Sequence, residues 1–385
     1  MIPQTMAAVQ LRGHGGIDQL VYREDVAVPQ PQAGEVLVKV TATAKNNTDR
    51  KVREGLYPTE RDDDIASFQI SGTPTLSFPR IQGADVVGRI VATGSGVPES
   101  RIGERGLLDF NIYADERPDI NLTPDYYGHG RDGGYAEYIA VPSDQFYHID
   151  NPDLADAELA ALGMCSYQTA LHMLTSAQVQ PGEKILITGA SGGVGTALIQ
   201  LCRILGATPH ALSSPGKEAA LLQLGAESVI DRTRGKLEEA VRQATGGQII
   251  DAVMDLVGGE TTNQLIGILT ERMSERRSYP RLSIAGASES NTTQILWTRI
   301  YLYQVQLFGV SHGTRAEAQQ LINWIRAGSL KPVLHGTFKL SDIHRAEEYF
   351  VNRSKGYSGK IALVPDSEWD QHGHPFAGPS GRGRG

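Results

Sequence analysis

Two different rhythms of apolar and polar residues divide this chain. Residues 1–150 hold short apolar blocks broken by Gly and Pro, the pattern of strands joined by tight turns. Val36-Leu37-Val38-Lys39-Val40 is one such strand, after a stretch punctuated by Pro and Gly. Ala84 to Val91 is a second, closed by Gly94-Ser95-Gly96. Tyr135 to Val141 is a third, opened by Gly133-Gly134 and stopped at Pro142. Pro58 to Pro79 places few apolar residues in register and predicts a long loop that covers a site.

Near Asn151 the rhythm changes. Asp156 to Leu162 opens as a helix, with acidic residues in its first turn. From Lys184 strands and helices alternate: Ile185–Thr188, a helix Gly193–Leu205, Pro209–Leu212, a helix Lys217–Leu224 and Ser228–Ile230. A helix Leu237–Ala244, the strand Asp251–Asp255, a helix near Thr261–Leu269 and the strand Arg281–Ala285 continue the series. That alternation predicts a parallel sheet with right-handed crossovers. A helix from Arg315 to Ala327 ends at Gly328, and mixed elements follow. Residues 366–385 are rich in Gly, Pro and Arg with little to bury, and predict a disordered tail.

The strand ending at Thr188 runs directly into Gly189-Ala190-Ser191-Gly192-Gly193-Val194-Gly195, which opens a helix. One glycine of such a triplet permits the tight turn, one lets backbone approach a pyrophosphate, and one lets helix pack closely on strand. The helix amino terminus adds N–H donors and a partial positive charge, so strand, triplet and helix together predict a dinucleotide site. An NAD site commonly places Asp or Glu at the end of the next strand, on the ribose hydroxyls. Here that stretch is Ala211-Leu212-Ser213-Ser214-Pro215-Gly216-Lys217, without an acid. Two hydroxyls and an ammonium suit a 2′-phosphate, which favours NADPH; helix capping by Ser213 and Ser214 with a solvated Lys217 fits the same residues.

At 385 residues the chain is long for one core, and two domains are expected. With 36 basic and 44 acidic residues the formal charge is -8, and no long run of one sign occurs, which argues against nucleic-acid and membrane partners. Cys165 and Cys202 match neither a disulfide framework nor a paired-Cys zinc ribbon. The first residues lack the basic and apolar regions of a secretion signal, and no apolar run approaches the roughly 20 residues that span a bilayer, so a cytoplasmic protein is expected.

With these residues in view, the chain resembles the zinc-independent, quinone-oxidoreductase-like branch of the medium-chain dehydrogenase/reductase superfamily. The resemblance runs from Met6 to Pro365. It is carried by Gly34 to Val40, Asn46-Asn47-Thr48-Asp49, Arg53-Glu54-Gly55-Leu56-Tyr57, Gly83-Ala84-Asp85-Val86-Val87-Gly88 and Gly133 to Tyr138. The phosphate turn, Asp255-Leu256-Val257-Gly258-Gly259 and Ser358 to Val364 complete it. The resemblance implies an α/β protein: a GroES-like β-rich catalytic domain (1–150 and 328–365) around a Rossmann doubly wound parallel sheet (151–327). It implies substrate binding in the cleft between them and a homodimer or homotetramer, with Gln306 to Val310 as a candidate edge for joining two sheets.

Zinc-dependent relatives bind catalytic zinc through three protein groups. This chain has Asn46 where they carry the first Cys and Gly83-Ala84-Asp85 where they carry Gly-His-Glu, so no metal is expected although Cys165 stands at the third position. Without a Lewis acid, hydride transfer to a quinone or an α,β-unsaturated carbonyl is the favoured chemistry, because the charge delocalises onto an oxygen that donors can hold. The resemblance nominates Thr48, Asn46 and Asn47 as those donors and Tyr57 as a wall of the substrate site. Backbone capping fits the two asparagines equally well, and a core position fits Tyr57. Asp85 suits a structural role, capping a turn or pairing with a base, while Asp255 and Gly286 are implied contacts of the nicotinamide. An alcohol or aldehyde dehydrogenase, an enoyl-thioester reductase and a non-catalytic NADPH-binding sensor are the alternatives. The loop 58–79 and the stretch 109–131 are longer than a compact quinone reductase needs, which predicts a bulkier substrate.

Overall fold

The computed structural model describes residues 2–57, 69–70, 73–74, 76–113, 117–122, 125–233, 235–290, 292–352 and 357–373. Most of the expected loop from Pro58 to Pro79 and the end of the expected tail, 374–385, lie outside the described residues. The chain forms two compact units: Met1–Cys165 with Ala318–Arg353 and Lys360–Gly385, and Ser166–Glu317 with Ser354–Gly359.

The first unit opens with the antiparallel pair β1 (Thr5–Leu11) and β2 (Leu20–Ala27). The long central strand β3 (Glu35–Ala44) runs directly into helix α1 (Asn47–Arg53). β4 (Asp85–Thr93), β5 (Arg105–Leu108), β6 (Tyr138–Pro142) and β7 (Phe146–His148) follow, and α2 (Asp156–Ala161) packs on β3 and β4. The second unit begins at Ser166, within α3 (Met164–Ser176).

There, strands and helices alternate as the sequence predicts. β8 (Lys184–Ile187) leads to α4 (Gly193–Ile204), and β9 (Thr208–Ser213) to α5 (Glu218–Leu224). β10 (Ser228–Asp231), α6 (Leu237–Ala244), β11 (Ala252–Asp255) and α7 (Thr261–Leu269) continue the series. β12 (Arg281–Ile284), α8 (Trp297–Leu302) and β13 (Gln306–Gly309) close it. All six strands are parallel, in the order β10-β9-β8-β11-β12-β13. The order grows outward from β8 on both sides, so the topological switch lies between β8 and β11, where open α/β sheets bind ligands.

Within α9 (Arg315–Arg326) the chain returns to the first unit, at Ala318, and continues as β14 (Leu334–Lys339), α10 (Ile343–Asn352), β15 (Lys360–Val364) and α11 (Trp369–His372). β15 joins β3 antiparallel and β14 parallel, giving the sheet order β7-β5-β4-β3-β15-β14 with β6 also on β3.

Each unit has its own core. Val36, Val38, Val40, Val86, Ile90, Ile139, Val141 and Phe146 form one, the inward halves of alternating strands. Leu186, Leu212, Val253, Leu265, Ile266 and Leu282 anchor the other, where helices cover parallel strands. Each such fully buried side chain contributes about 1.5–3 kcal/mol.

Two boundaries differ from expectation. Residues 151–165 belong to the first unit rather than the second, because α2 lays its apolar residues on β3, β4 and β15. The tail expected to be disordered from Asp366 is ordered through Gly373. Asp366 accepts hydrogen bonds from the Ser341 backbone N–H (3.0 Å) and hydroxyl (2.6 Å), and the buried Glu368 carboxylate pairs with Lys39.

Candidate active site

In the first unit the chain turns from β3 into α1 at Asn46, a sharp change that an acidic side chain stabilises. Asp49 reaches back to accept the Asn46 backbone N–H at 2.8 Å, as an N3 carboxylate does in a capping box. It also accepts the Tyr135 hydroxyl at 3.0 Å and the Gly83 N–H at 3.3 Å. Burial pushes its carboxyl above the ordinary range, and the Lys45 charge opposes that.

The Asn46 side chain is committed inside the protein. Its amide nitrogen donates to Asp85 Oδ2 at 2.9 Å and to the Ala44 carbonyl at 3.2 Å, and its oxygen accepts from Lys360 Nζ at 2.8 Å. Lys360 also forms an ion pair with Asp85, and both side chains are closed off from solvent. The second Asp85 oxygen accepts the Cys165 backbone N–H at 2.9 Å, which caps the first turn of α3. Asp85 therefore does both things the sequence suggested, capping a turn and pairing with a base. Asn46, nominated as a substrate donor, instead belongs to this internal cluster, because both of its amide hydrogens are already used. Asn47 is the first residue of α1 and half-buried.

Thr48 stands one residue further along and remains partly accessible. Its hydroxyl lies 2.6 Å from the hydroxyl of Tyr126, and Tyr57 hydrogen-bonds the same side chain. Tyr57 is half-buried. Burial pushes its phenol up to about 12 and Tyr126 well above the ordinary value, while the bond to Thr48 opposes both shifts. The Cys165 thiol is also driven well above its usual range by burial, with Asp85 and Asp49 adding to the effect. Among the described residues no group of three or more His, Cys, Asp or Glu side chains is gathered to hold a metal ion.

In the second unit the turn Gly189–Gly195 joins β8 to α4. Gly189 has φ +56°, the left-handed region that glycine enters at no steric cost. A Cβ on Gly195 would lie 2.5 Å from Ala190 Cα and from the Gly189 carbonyl oxygen, so only glycine lets the helix sit this close. Ala190 is fully buried, whereas Ser191, Gly192, Gly193 and Val194 are more exposed, and Gly192 brings no side chain to cap the first-turn amides. The donors, the missing side chains and the helix terminus together fit a dinucleotide pyrophosphate.

Lys217 extends its ammonium to Ser191 Oγ at 3.0 Å, so the cation after β9 reaches the phosphate turn rather than bulk water. Ser213 is 3% exposed, its hydroxyl has no hydrogen-bond partner among the described residues, and Ser214 beside it is half-buried. Ser213 ends β9, and neither serine donates a side-chain cap to α5, whose N-cap is Lys217.

Two implied cofactor contacts have other work. Asp255 is fully buried, accepting from the Thr188 hydroxyl (2.7 Å), the Thr262 hydroxyl (3.0 Å) and the Val257 and Gly258 N–H groups (2.9 and 3.3 Å). It organises the ends of β8 and β11. A Cβ on Gly286 would stand 2.7 Å from the Leu256 carbonyl oxygen, so its glycine is required by backbone packing.

Two residues of this region carried no signal of their own. Lys360 lies in the closing motif, and its meeting with Asp85 spans 275 positions. Tyr126 sits in the stretch 109–131, in a two-residue strand paired with Asn111–Ile112.

Comparison with known proteins agrees with this architecture. Residues 32–151 match the alcohol dehydrogenase GroES-like domain and residues 193–327 the zinc-binding dehydrogenase family. The quinone oxidoreductase of Homo sapiens is 28% identical over 367 residues, covering 93% of this chain and 98% of that protein. The 2-methylene-furan-3-one reductase of Solanum lycopersicum is 32% identical over 240 residues, 62% of this chain and 55% of its own length. A solved structure from Sinorhizobium meliloti 1021, described as an alcohol dehydrogenase, is 48% identical, covers 95% of this chain and 98% of its own, and superposes with a TM-score of 0.88. The chain belongs to the medium-chain dehydrogenase/reductase superfamily. It is an oxidoreductase that uses a nicotinamide cofactor.

Proposed function

We propose that this enzyme transfers a hydride from NADPH to a quinone or an α,β-unsaturated carbonyl without a metal. The observation that carries the metal-free reading is the cluster Asn46–Asp85–Lys360. At positions where zinc-dependent relatives face a metal, the side chains here are bonded to each other, and the cation is an ammonium. Ala84 supplies no ligand atom, and the Cys165 thiol is held protonated by burial.

Thr48 donates a hydrogen bond to the substrate oxygen. When the hydride arrives at carbon, negative charge collects on that oxygen, and a donor already aimed at it lowers the barrier. The reduced nicotinamide supplies the hydride, and water supplies the proton that completes reduction. A quinone or enone suits a site without a Lewis acid because its charge spreads over a conjugated system before protonation. Tyr57 supports Thr48 through its own hydroxyl.

The preference for NADPH rests on Lys217 and the paired serines. The ammonium at Ser191 and the Ser213 hydroxyl, without a partner among the described residues, offer a cation and donors to a 2′-phosphate, and no carboxylate ends β9 to bind ribose hydroxyls instead. The chain acts as a homodimer joined at the free edge of β13, beside the exposed side chains of Trp297, Tyr301, Leu302 and Leu307. Its setting is cytoplasmic.

Oxidation of NADPH by chelator-treated protein across quinones, enones, aldehydes and enoyl thioesters tests the function. Quinone or enone turnover that survives chelation is the expected result. Turnover confined to aldehydes and restored by zinc would replace this reading with an alcohol dehydrogenase, which the description of the Sinorhizobium neighbour favours.

A further inference from the structure

Helix α1 carries three cations, Arg50, Lys51 and Arg53, and two of them are balanced by carboxylates. Arg50 lies 3.6 Å from Glu54, and Arg53 meets Glu54 at 3.2 Å and the buried Glu347 at 3.3 Å. Lys51 between them is half-buried, and its ammonium has neither a carboxylate nor a hydrogen-bond acceptor among the described residues. What it faces is the Tyr57 ring, whose centroid lies 5.7 Å from Nζ. We propose that Lys51 is a specificity-determining residue of the Thr48 site, and that its ammonium binds an anionic group, a carboxylate above all, carried by the acceptor close to its conjugated carbonyl. The inference rests on the reading above that Thr48 holds the substrate oxygen.

The helix sets the spacing. Thr48 and Lys51 are three residues apart on α1, so their side chains rise from the same face with Cβ atoms about 5–6 Å apart. An acceptor whose oxygen reaches the Thr48 hydroxyl therefore presents its nearest substituents to Lys51. A carboxylate set across the carbon–carbon double bond from the carbonyl spans such an interval. The turn after α1 completes the arrangement. Gly55 takes φ +67° and the Leu56 N–H donates to the Lys51 carbonyl at 2.9 Å, which folds the chain back and brings Tyr57 over the lysine.

Charge gives the preference its direction. A half-buried ammonium has given up part of its hydration, and burial lowers its pKa, with the adjacent Arg50 charge adding to the effect. The electron-rich face of Tyr57 offsets part of that loss, yet a ring carries no net charge to cancel the cation. An entering carboxylate gains a charge-assisted hydrogen bond at a donor that is already partly desolvated. A neutral enone or quinone gains nothing there. The favoured acceptors are thus acidic enones and acidic quinones.

Benzoylacrylate and benzoylacrylamide share one enone and differ in charge. Their kcat/KM values with NADPH are measured in wild type, Lys51→Met and Lys51→Arg. Met keeps an unbranched chain against Tyr57, and a folding loss cancels because both acceptors are read on the same protein. The ratio of acid to amide should fall at least about ten-fold in Lys51→Met, chiefly through KM, and recover most of that loss in Lys51→Arg. A second readout needs no turnover: calorimetric binding of benzoylpropionate and benzoylpropionamide in the presence of oxidised cofactor, with a ten-fold loss expected for the acid alone. Equal losses for acid and amide would mark Lys51 as a support of α1 and overturn the proposal, as would a ratio that stays within about two-fold of wild type. If wild type reduces neither acceptor, the hydride-acceptor reading fails and calorimetry decides Lys51. An acid-specific loss in Lys51→Met then supports the proposal, whereas equal binding, or no binding of the acid to wild type, overturns it.

Discussion

Replacing Lys360 by Met tests the internal cluster most sharply. The substitution keeps an unbranched side chain of similar length and removes the charge. Lys360 is 3% exposed and Asp85 is 0% exposed, so the Asp85 carboxylate would stay in a dry site with one amide and one backbone N–H as partners. Removing one partner of a buried ion pair costs about 3–5 kcal/mol, against about 0–1 kcal/mol for an exposed pair. The two units need not unfold together, so a local probe is needed. The Lys45 N–H donates to the Ile361 carbonyl at 3.0 Å and reports whether β15 stays on β3. Because about 1.4 kcal/mol is a factor of ten, its hydrogen exchange should accelerate roughly 100- to 1000-fold in Lys360→Met. Adding Asp85→Asn removes the stranded charge and should recover much of that loss. Acceleration below about ten-fold would show that the pair behaves like a surface bridge, and the reasoning would fail.

Other consequences follow from neighbouring features. Gly195→Ala forces a Cβ onto backbone atoms 2.5 Å away, so NADPH affinity measured by fluorescence titration should fall at least about ten-fold. Unchanged affinity would mean the turn can open. Lys217→Ala should weaken NADPH about ten-fold and leave NADH nearly unchanged; equal effects on both would reassign the ammonium to the shared pyrophosphate. Burial pushes Tyr57 and Tyr127 up to about 12 from 10.0, so their neutral forms favour the folded state. That contribution is complete below about pH 10 and is lost as pH rises through about 12. Tyrosinate absorbance should therefore lag behind free tyrosine and appear together with loss of β-sheet dichroism; free titration at pH 10 without unfolding would contradict it. Leu307→Asp, on the edge strand β13, should convert a dimer to monomer in sedimentation, and a monomeric wild type would refute that edge.

How far the sequence carried the reading depended on the range of the interaction. The helices Leu237–Ala244 and Thr261–Leu269 stand at the expected residues because their apolar spacing is a local property. The phosphate turn was legible for the same reason, since strand, glycines and helix are contiguous. The role of Asp255 was not, because the same carboxylate position can face a ligand or brace two strands, and only its four partners decide. Asn46 was readable as a missing metal ligand but not as a bonded neighbour of Lys360, which lies 314 residues away. The expected disorder after Asp366 came from composition, whereas order there depends on Ser341 and Lys39 far upstream. Tyr126 escaped notice because a tyrosine in a Gly-rich stretch has no periodic signature, and its value lies in where the backbone leaves its hydroxyl.

The place of β15 has a consequence for how the molecule is made. The strand β3 finds its neighbour β15 only when residues 360–364 exist, yet β3 itself is complete at residue 44. During synthesis at about 5–20 residues per second, the β3 edge at Thr43 and Ala44 waits tens of seconds for its partner while the whole parallel sheet is translated. Over that interval it is an open edge, the kind that recruits other chains. A chain stopped before Lys360 would also leave Asp85 without its cation. Deletions at the carboxyl end should therefore send newly made protein into aggregates, and the vulnerable strand would be β3, made more than 300 residues before its partner.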